Sequence, residues 1–147
     1  MPLVHSNLAL DAFCATLKEK FVESPSYGVL RLMLDRDGDE KARCTTIVKY
    51  LPNASFPEHS HTGGEEFLVL EGSFHDENGS YPKGTYVRNP IDSKHSPFVK
   101  EDGCVILVKL WQMTQKEKRL VKHGYTARKG KFGAVKIGTK KSRKGRK

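Results

Sequence analysis

Four side chains of metal-ligating type lie at close spacing near the middle of the 147-residue chain. His59 and His61 are separated by one residue, and side chains two apart in an extended strand point to the same face. Glu65 follows two glycines whose turn can bring its carboxylate back toward the imidazoles, and His95 arrives from a later segment. Three imidazole nitrogens and one carboxylate oxygen suit a divalent metal ion, with Zn²⁺ and Fe²⁺ as the leading candidates.

Short extended segments must position these side chains. From Tyr27 onward, runs rich in β-branched and aromatic residues alternate with turns rich in Gly, Pro and Asn, which is typical of a β-sandwich or β-barrel. The predicted strands cover residues 27–34, 43–51, 56–61, 65–72, 73–77, 85–89, 96–99 and 104–113. The last of them is apolar on both faces, so we predict that Trp111 is buried in the core.

Two further segments flank the predicted barrel. Residues 6–22 place Leu10, Phe13 and Leu17 at helical spacing, which predicts an amphipathic helix that covers the barrel. Residues 115–147 hold 14 Lys and Arg against one acidic residue, a net charge of +13, and such a segment cannot bury enough apolar surface to offset its ordering entropy. We therefore expect a helical segment at residues 1–26, a barrel at residues 27–114 and a disordered basic tail at residues 115–147.

The composition is that of one soluble globular domain, with 37% hydrophobic and 29% charged residues. No apolar run approaches the roughly 20 residues of a membrane span, and the first residues lack the basic and apolar regions of a secretory signal. The three cysteines, Cys14, Cys44 and Cys104, have no C-x-x-C spacing, and we interpret Cys44 and Cys104 as buried thiols of a reducing compartment. We expect a cytoplasmic protein that does not contact a membrane.

At the four candidate ligands the sequence resembles the cupin family, whose two motifs carry the metal-binding residues. The motifs are matched by His59-x-His61-x3-Glu65-x6-Gly72 and by Gly84-x5-Pro90-x-Asp92-x2-His95. The chain departs from the family pattern where Asn53 and Asp92 replace glycines and where Val99 replaces an asparagine. The resemblance implies an all-β, single-domain cupin, a double-stranded β-helix or jelly-roll barrel, here with an N-terminal helix and a basic tail.

Residues from about 30 to 113 are more closely similar to the cupin domain of ChrR-type zinc anti-sigma factors. The matching stretches are Phe56-Pro-x-His-x-His-x-Gly-Gly-Glu-Glu, Leu68-Val-Leu-Glu-Gly, Tyr81-Pro-x-Gly-Thr, Arg88-Asn-Pro and Val108-Lys-Leu-Trp-Gln-Met. This resemblance favours zinc. In those proteins a separate N-terminal helical domain binds the sigma factor, whereas only about 26 residues precede the first predicted strand here. We therefore do not expect an anti-sigma role.

The carboxylate ligand has two candidates, because Glu65 and Glu66 are adjacent and neighbouring strand residues face opposite sides. The spacing to Gly72 and the closer family resemblance both favour Glu65, and Glu66 is the alternative. The remaining histidines, His5, His75 and His123, have no ligand set around them, and we predict that they lie at the surface.

Two classes of function stay open. With Fe²⁺ and free coordination positions, the site would bind O₂ beside an enolate or catecholic substrate and act as a dioxygenase. Its net charge of about +1 would favour an anionic ligand, with Arg88 as the candidate anchor and Tyr81, Tyr86 and Phe98 as pocket or core residues. With Zn²⁺ held by all four ligands, the protein would be a non-enzymatic zinc-binding or redox-sensing module.

The basic tail adds a second expectation. We interpret it either as a solvated or targeting extension, or as a nonspecific tether to nucleic acid or acidic partners. No nucleic-acid recognition module accompanies it, so sequence-specific binding is not expected. Edge strands of the barrel are expected to support a homodimer.

Overall fold

The computed structural model describes residues 3–39 and 41–113, together with short strands at residues 126–128 and 136–138. Within these residues the chain forms β-strands joined by turns, and it contains no helix. The strands are β1 (Val22–Glu23), β2 (Val29–Asp37), β3 (Arg43–Tyr50), β4 (His59–His61), β5 (Glu65–Asp76), β6 (Gly79–Pro82), β7 (Tyr86–Asn89), β8 (Ser93–His95), β9 (Cys104–Leu110), β10 (Thr126–Arg128) and β11 (Lys136–Gly138).

In residues 3–113 the strands form one large and one small antiparallel sheet. The large sheet has the order β1-β2-β3-β9-β5-β6, and β7 pairs with the first part of β5. The small sheet pairs β4 with β8, so that His59 lies opposite His95 and His61 lies opposite Ser93. The predicted metal ligands are therefore held on paired strands rather than on independent loops.

The hydrophobic core lies on the inner face of the large sheet. Every second residue of β3, and of β9 as far as Val108, is buried, which is the alternation expected for strands with one face inward. The buried apolar cluster consists of Val29, Val48, Tyr50, Ala54, Phe67, Val69, Phe74, Val99, Cys104, Ile106 and Val108. Cys44 and Cys104 are free, buried thiols, which confirms the burial predicted for them.

The strand β5 bends sharply around the barrel. It contains 12 residues, with Glu65 at its start and Asp76 at its end, and a straight strand of that length would separate its ends by roughly 36 Å. The pairing with β9 shifts between Val69 and Glu71, and Gly72 follows with a φ of 66°. A β-bulge increases the local bend and twist of a strand. The bend brings both ends of β5 close to the side chain of His95.

The predicted helix at residues 6–22 is wrong. The chain forms turns and extended segments there, and Val4 forms a bridge with Arg36. The side chain of Phe13 is 89% exposed, and Leu10 and Leu17 are exposed as well. Helices gain most of their stability from packing an apolar face, and the apolar residues of the predicted helical face are exposed instead of packed on the barrel.

The predicted burial of Trp111 is also wrong. The strand β9 ends at Leu110, and Trp111 adopts a φ of 60° that interrupts the strand. Its side chain is 41% exposed. The backbone N–H of Trp111 donates to Gly64 O at 3.2 Å, so the chain turns toward the Gly63-Gly64 turn instead of continuing through the core.

The chain divides into two compact units, Met1–Met113 and Thr114–Lys147. In the second unit, β10 and β11 pair antiparallel with Thr126 opposite Gly138. The rest of the predicted disordered tail lies outside the described residues. Among the residues that the structure describes, no helix has the length and apolar character needed to cross a membrane.

Candidate metal centre

Three imidazole rings converge at one end of the barrel interior. The ring centroids of His59, His61 and His95 are 4.7 to 4.8 Å apart. One nitrogen atom from each ring lies within 4.8 Å of the other two, so the three rings could hold a metal ion. The strand alternation that suggested a shared face for His59 and His61 is therefore realised, and the pairing of β4 with β8 adds His95.

The Glu65 carboxylate lies beside this cluster. Its Oε2 atom is 3.4 Å from His61 Nε2 and 3.6 Å from His95 Nε2, and it accepts a hydrogen bond of 2.8 Å from Asn89 Nδ2. A tight turn positions it, because Gly64 has a φ of 74° and its N–H donates to His61 O at 3.0 Å. Only glycine adopts this backbone conformation without strain.

Glu66 lies on the opposite face of β5, away from the cluster. Its Oε1 atom accepts hydrogen bonds from Tyr86 Oη at 2.5 Å and from Arg88 Nε at 2.8 Å. Arg88 does not reach the cluster, contrary to the role considered for it, because its side chain is 61% exposed on the outer surface. The alternation of side chains along β5 thus separates the two neighbouring glutamates as predicted.

Hydrogen bonds on the far side of two rings orient their nitrogen atoms. His59 Nδ1 donates to Pro57 O at 2.9 Å, and His95 Nδ1 donates to Asp76 Oδ2 at 3.2 Å. The Nε2 atoms of both rings are thereby left as lone-pair donors toward the cluster. His61 Nε2 is fully buried and has no hydrogen-bond partner. A buried polar atom without a partner is costly unless a bound ion or water satisfies it.

Asp76 is a functional candidate that sequence reasoning missed. Its Oδ1 atom accepts hydrogen bonds from the backbone N–H of Asn78 and Gly79 and from Tyr81 Oη, which leaves Oδ2 for His95. The Asp-x-Asn-Gly order could have indicated the turn. The contact with His95 could not have been read from it, because that contact depends on the bend in β5.

The electrostatic setting keeps two of the rings neutral. Burial, together with the nearby His95 and His59, lowers the pKa of His61 to about 3. Burial also lowers the pKa of His59. Metal ligation requires neutral imidazole, so both rings are in the ligating form at pH 7.

The two acidic neighbours of His95 shape its titration. Burial lowers the pKa of His95, but the hydrogen bond to Asp76 and the charge of Glu65 outweigh burial, and the net direction is upward. Burial raises the pKa of Glu65, against the opposing influence of His95 and Asn89. A cation at the centre would favour the ionised form of this buried carboxylate.

A cavity of about 280 Å³ opens beside the cluster in the barrel interior. Its lining combines ligand candidates, apolar side chains and cations. It includes His59, His61, Glu65, Val29, Val48, Tyr50, Phe56, Val108, Leu110, Trp111, Arg31, Arg36 and Lys41. A small molecule in this space would therefore contact the cluster directly.

The aromatic residues flanking the second motif do not line this cavity. Tyr81 packs near Phe67 and Phe74 in the core, and Tyr86 is on the outer surface with Glu66. Phe98 stacks on His75 with ring centroids 5.2 Å apart. The predicted surface position of His75 is wrong, because its ring is buried and its nitrogen atoms bond Ser73 and Ser80.

Comparisons with known proteins identify a family and a shared fold. A family model described as the ChrR Cupin-like domain matches residues 10–114. One chain of the Rhodobacter sphaeroides SigE–anti-sigma ChrR complex is 22% identical, with a TM-score of 0.55, over 65% of this chain and 50% of that chain. An acetylacetone dioxygenase from Acinetobacter johnsonii is 16% identical, with a TM-score of 0.61, over 75% of this chain and 80% of that chain.

A third solved structure, an RmlC-like cupin from Ralstonia eutropha JMP134, is 15% identical, with a TM-score of 0.60, over 69% of each chain. Comparison with curated proteins finds no match. The chain spans about half the length of the chain it matches in the SigE–ChrR complex. At these identities the solved structures show a shared fold.

Proposed function

Because the chain belongs to the family of ChrR Cupin-like domains and has the predicted cupin barrel, we propose that it binds one divalent first-row metal ion. The ligands are His59, His61, His95 and Glu65. The observation that carries this proposal is the buried, unpartnered Nε2 atom of His61, which faces two further imidazoles and a carboxylate. Three nitrogen donors and one oxygen donor fit Zn²⁺ and Fe²⁺.

The function that the site supports best is metal-dependent chemistry on a small molecule, of the dioxygenase type. The cavity beside the cluster supports it, because a closed structural site has no need of a space for a ligand. Bound Fe²⁺ would supply coordination positions and redox chemistry for O₂ and an enolate or catecholate. The chain would bind and orient the substrate, and its buried walls would exclude water.

A non-enzymatic module is the second candidate. The family model supports it, since ChrR is named as an anti-sigma protein in the SigE complex that this chain resembles. In this role all four ligands would hold Zn²⁺, and the metal would stabilise the fold or respond to oxidants.

Metal content and oxygen uptake separate the two candidates. The full-length protein is purified without added metal, its metals are quantified, and oxygen consumption is measured against β-diketones and catechols. Stoichiometric iron with substrate-dependent oxygen uptake supports the enzyme. Tightly held zinc without turnover, including after exchange for Fe²⁺, supports the module. Protein that binds neither metal would refute the metal-centre proposal.

A further inference from the structure

The barrel interior contains charged side chains that the metal centre does not explain. Arg31 and Arg36 lie on β2, and the strand register places Arg31 opposite Val48 and Arg36 opposite Cys44. Directly opposed residues of antiparallel strands share a face, and Val48 and Cys44 are buried. Both arginines therefore project from the inner face of the sheet, where charged side chains are uncommon.

The fold itself accounts for Arg36. Its Nε donates to Gly38 O at 3.0 Å, and a second guanidinium nitrogen donates to Asp39 O. These contacts tie the side chain to the turn that follows β2. Arg36 therefore has a structural role, and we do not assign it a ligand.

Arg31 faces the same cavity as the metal centre. The cavity of about 280 Å³ is lined by Arg31 and also by His59, His61 and Glu65. The strands β3 and β9 lie between β2 and β5, so three interstrand spacings, about 14 Å along the curved sheet, separate the strand of Arg31 from that of Glu65. The cation and the metal cluster thus belong to different walls of one cavity.

Uncharged side chains line the space between these two walls. They include Thr46, Val48, Tyr50 and Val108. Burial raises the pKa of Tyr50, the charge of Glu65 raises it further, and Arg31 lowers it. Tyr50 lies on β3, which is between the strands of Arg31 and Glu65 in the sheet. The cavity therefore has a metal-binding end, an uncharged middle and a cationic wall.

We propose that this cavity binds a small organic carboxylate whose chelating end reaches the metal ion and whose carboxylate pairs with Arg31. This inference rests on the proposed metal centre and names the class of ligand that the centre takes. Arginine recognises carboxylates through two parallel hydrogen bonds, which are strong where water is excluded. The cavity volume lies near the lower end of the range for small-molecule sites, about 300 Å³ upward, so the ligand is small.

Calorimetric titration of the zinc-loaded full-length protein tests this proposal without turnover. The probes are 3,4-dihydroxybenzoate, 3,4-dihydroxyphenylacetate and 3-(3,4-dihydroxyphenyl)propionate, each compared with its neutral methyl ester. All six share the chelating catechol, and the series varies the distance to the carboxylate. We expect at least one acid to bind about tenfold to a hundredfold more tightly than its ester, the usual range for a hydrogen bond to a charged group.

The variant Arg31→Gln should remove this preference while leaving ester affinity and zinc content unchanged. The matched control is Arg88→Gln, which removes the same charge from the outer surface and should keep the preference. Arg31→Lys, which retains the charge, should keep part of it and also serves if Arg31→Gln fails to fold.

Two results would overturn the assignment of Arg31. One is an acid-to-ester ratio that is the same in wild type and Arg31→Gln. The other is the absence of any acid preference, or of any binding, in wild-type protein that holds zinc stoichiometrically. Failure to hold zinc is a different result, because it refutes the metal centre itself.

Discussion

The contact between His95 and Asp76 supports the candidate metal centre from outside the proposed ligand set. Asp76 Oδ2 fixes Nδ1 of His95 as a hydrogen-bond donor, while Oδ1 is held by a turn and by Tyr81 Oη. Carboxylates that orient metal-bound histidines in this way affect metal affinity strongly, although they do not touch the metal.

Replacing Asp76 with Asn should weaken zinc binding by about tenfold to a hundredfold, because the amide no longer favours the required form of the His95 ring. Chelator competition at pH 7 measures this affinity. Asp102→Asn is the matched control, since Asp102 bonds Ser73 at an exposed position. Equal affinity in Asp76→Asn and wild type would contradict the proposed support.

A second prediction at the residue scale concerns the three histidines of the proposed ligand set. His59→Ala, His61→Ala and His95→Ala should each lose most of the bound metal and melt at a lower temperature, because an ion that binds only the folded state adds to folding free energy. Metal analysis and thermal denaturation with and without chelator check both effects. Full metal occupancy in all three variants would refute the assignment of these histidines as metal ligands.

The two neighbouring glutamates provide an internal comparison. Glu65→Gln should weaken metal binding more than Glu66→Gln, since Glu65 lies beside His61 and His95 whereas Glu66 bonds Tyr86 and Arg88. Chelator competition on both variants measures the difference. The opposite order would move the fourth ligand to Glu66.

Among the strands, β5 shapes the site through its bend, which brings both of its ends to His95. Glu65 Oε2 is 3.6 Å from His95 Nε2, and Asp76 Oδ2 is 3.2 Å from His95 Nδ1. Gly72 lies within the bend, and a Cβ atom there would be 2.2 Å from the carbonyl oxygen of Gly103. A backbone atom cannot move aside as a side chain can.

Gly72→Ala should therefore destabilise the fold by at least about 3 kcal/mol, since the left-handed backbone alone costs an alanine about 1 to 2 kcal/mol and the clash adds to it. Gly84→Ala is the matched control, because Gly84 has a φ of 85° but a Cβ atom added there would meet no atom within 4 Å. It should cost only the backbone strain of about 1 to 2 kcal/mol and leave zinc affinity unchanged. Chemical denaturation of both variants checks the difference, and equal losses would contradict the role of the bend.

At the scale of the strands, the sequence predicted the features that depend on side-chain alternation and residue spacing. The shared face of His59 and His61 and the opposite faces of Glu65 and Glu66 follow from a period of two, and strands lie where β2, β3, β5, β7 and β9 were predicted. The prediction missed β6 and β8, and the strand predicted at residues 96–99 is wrong, because Phe98 forms only isolated bridges there. The sequence also indicated that Asn53 and Asp92 could replace two glycines of the family motifs. Both adopt a left-handed backbone, with φ values of 61° and 65°, and Asn and Asp enter this region more readily than most residues.

Features that depend on distant contacts were not predictable. The apolar spacing at residues 6–22 indicated a helix, but whether such a segment is helical depends on a surface to pack against. The departure of Trp111 from the core follows from a backbone turn near Gly63 and Gly64, which lie far away in sequence. Asp76 reaches His95 only because β5 bends.

Charge is distributed unevenly along the chain, and the change from acidic to basic lies close to the boundary between the two units. Residues 115–147 hold 14 Lys and Arg and one acid, whereas residues 1–114 hold the other 12 Lys and Arg and 16 acids. The net charges are therefore +13 and −4. The expected homodimer through edge strands stays a prediction, as does a tether role for the basic residues.

Truncation after Gln115 should leave the fold and the metal content intact, because among the described residues the metal ligand candidates and the core lie within Met1–Met113. If the tail is a nucleic-acid tether, the full-length protein will bind DNA with an affinity that falls steeply with salt, since phosphate contacts release counterions. The truncated form should not bind. Equal DNA binding by both forms at low salt, or no binding by either form, would refute the tether role of the tail.

The position of Trp111 has an optical consequence. It is the only tryptophan of the chain, and it lines the cavity together with His59 and His61. Its indole ring packs against Gly63, since a Cβ atom added to Gly63 would lie 2.4 Å from the ring. Light emitted by this one residue therefore originates beside the candidate metal centre. A filled-shell, redox-inactive ion such as Zn²⁺ should leave the emission bright, whereas Fe²⁺ should quench it, so the fluorescence of the intact protein distinguishes the two metals.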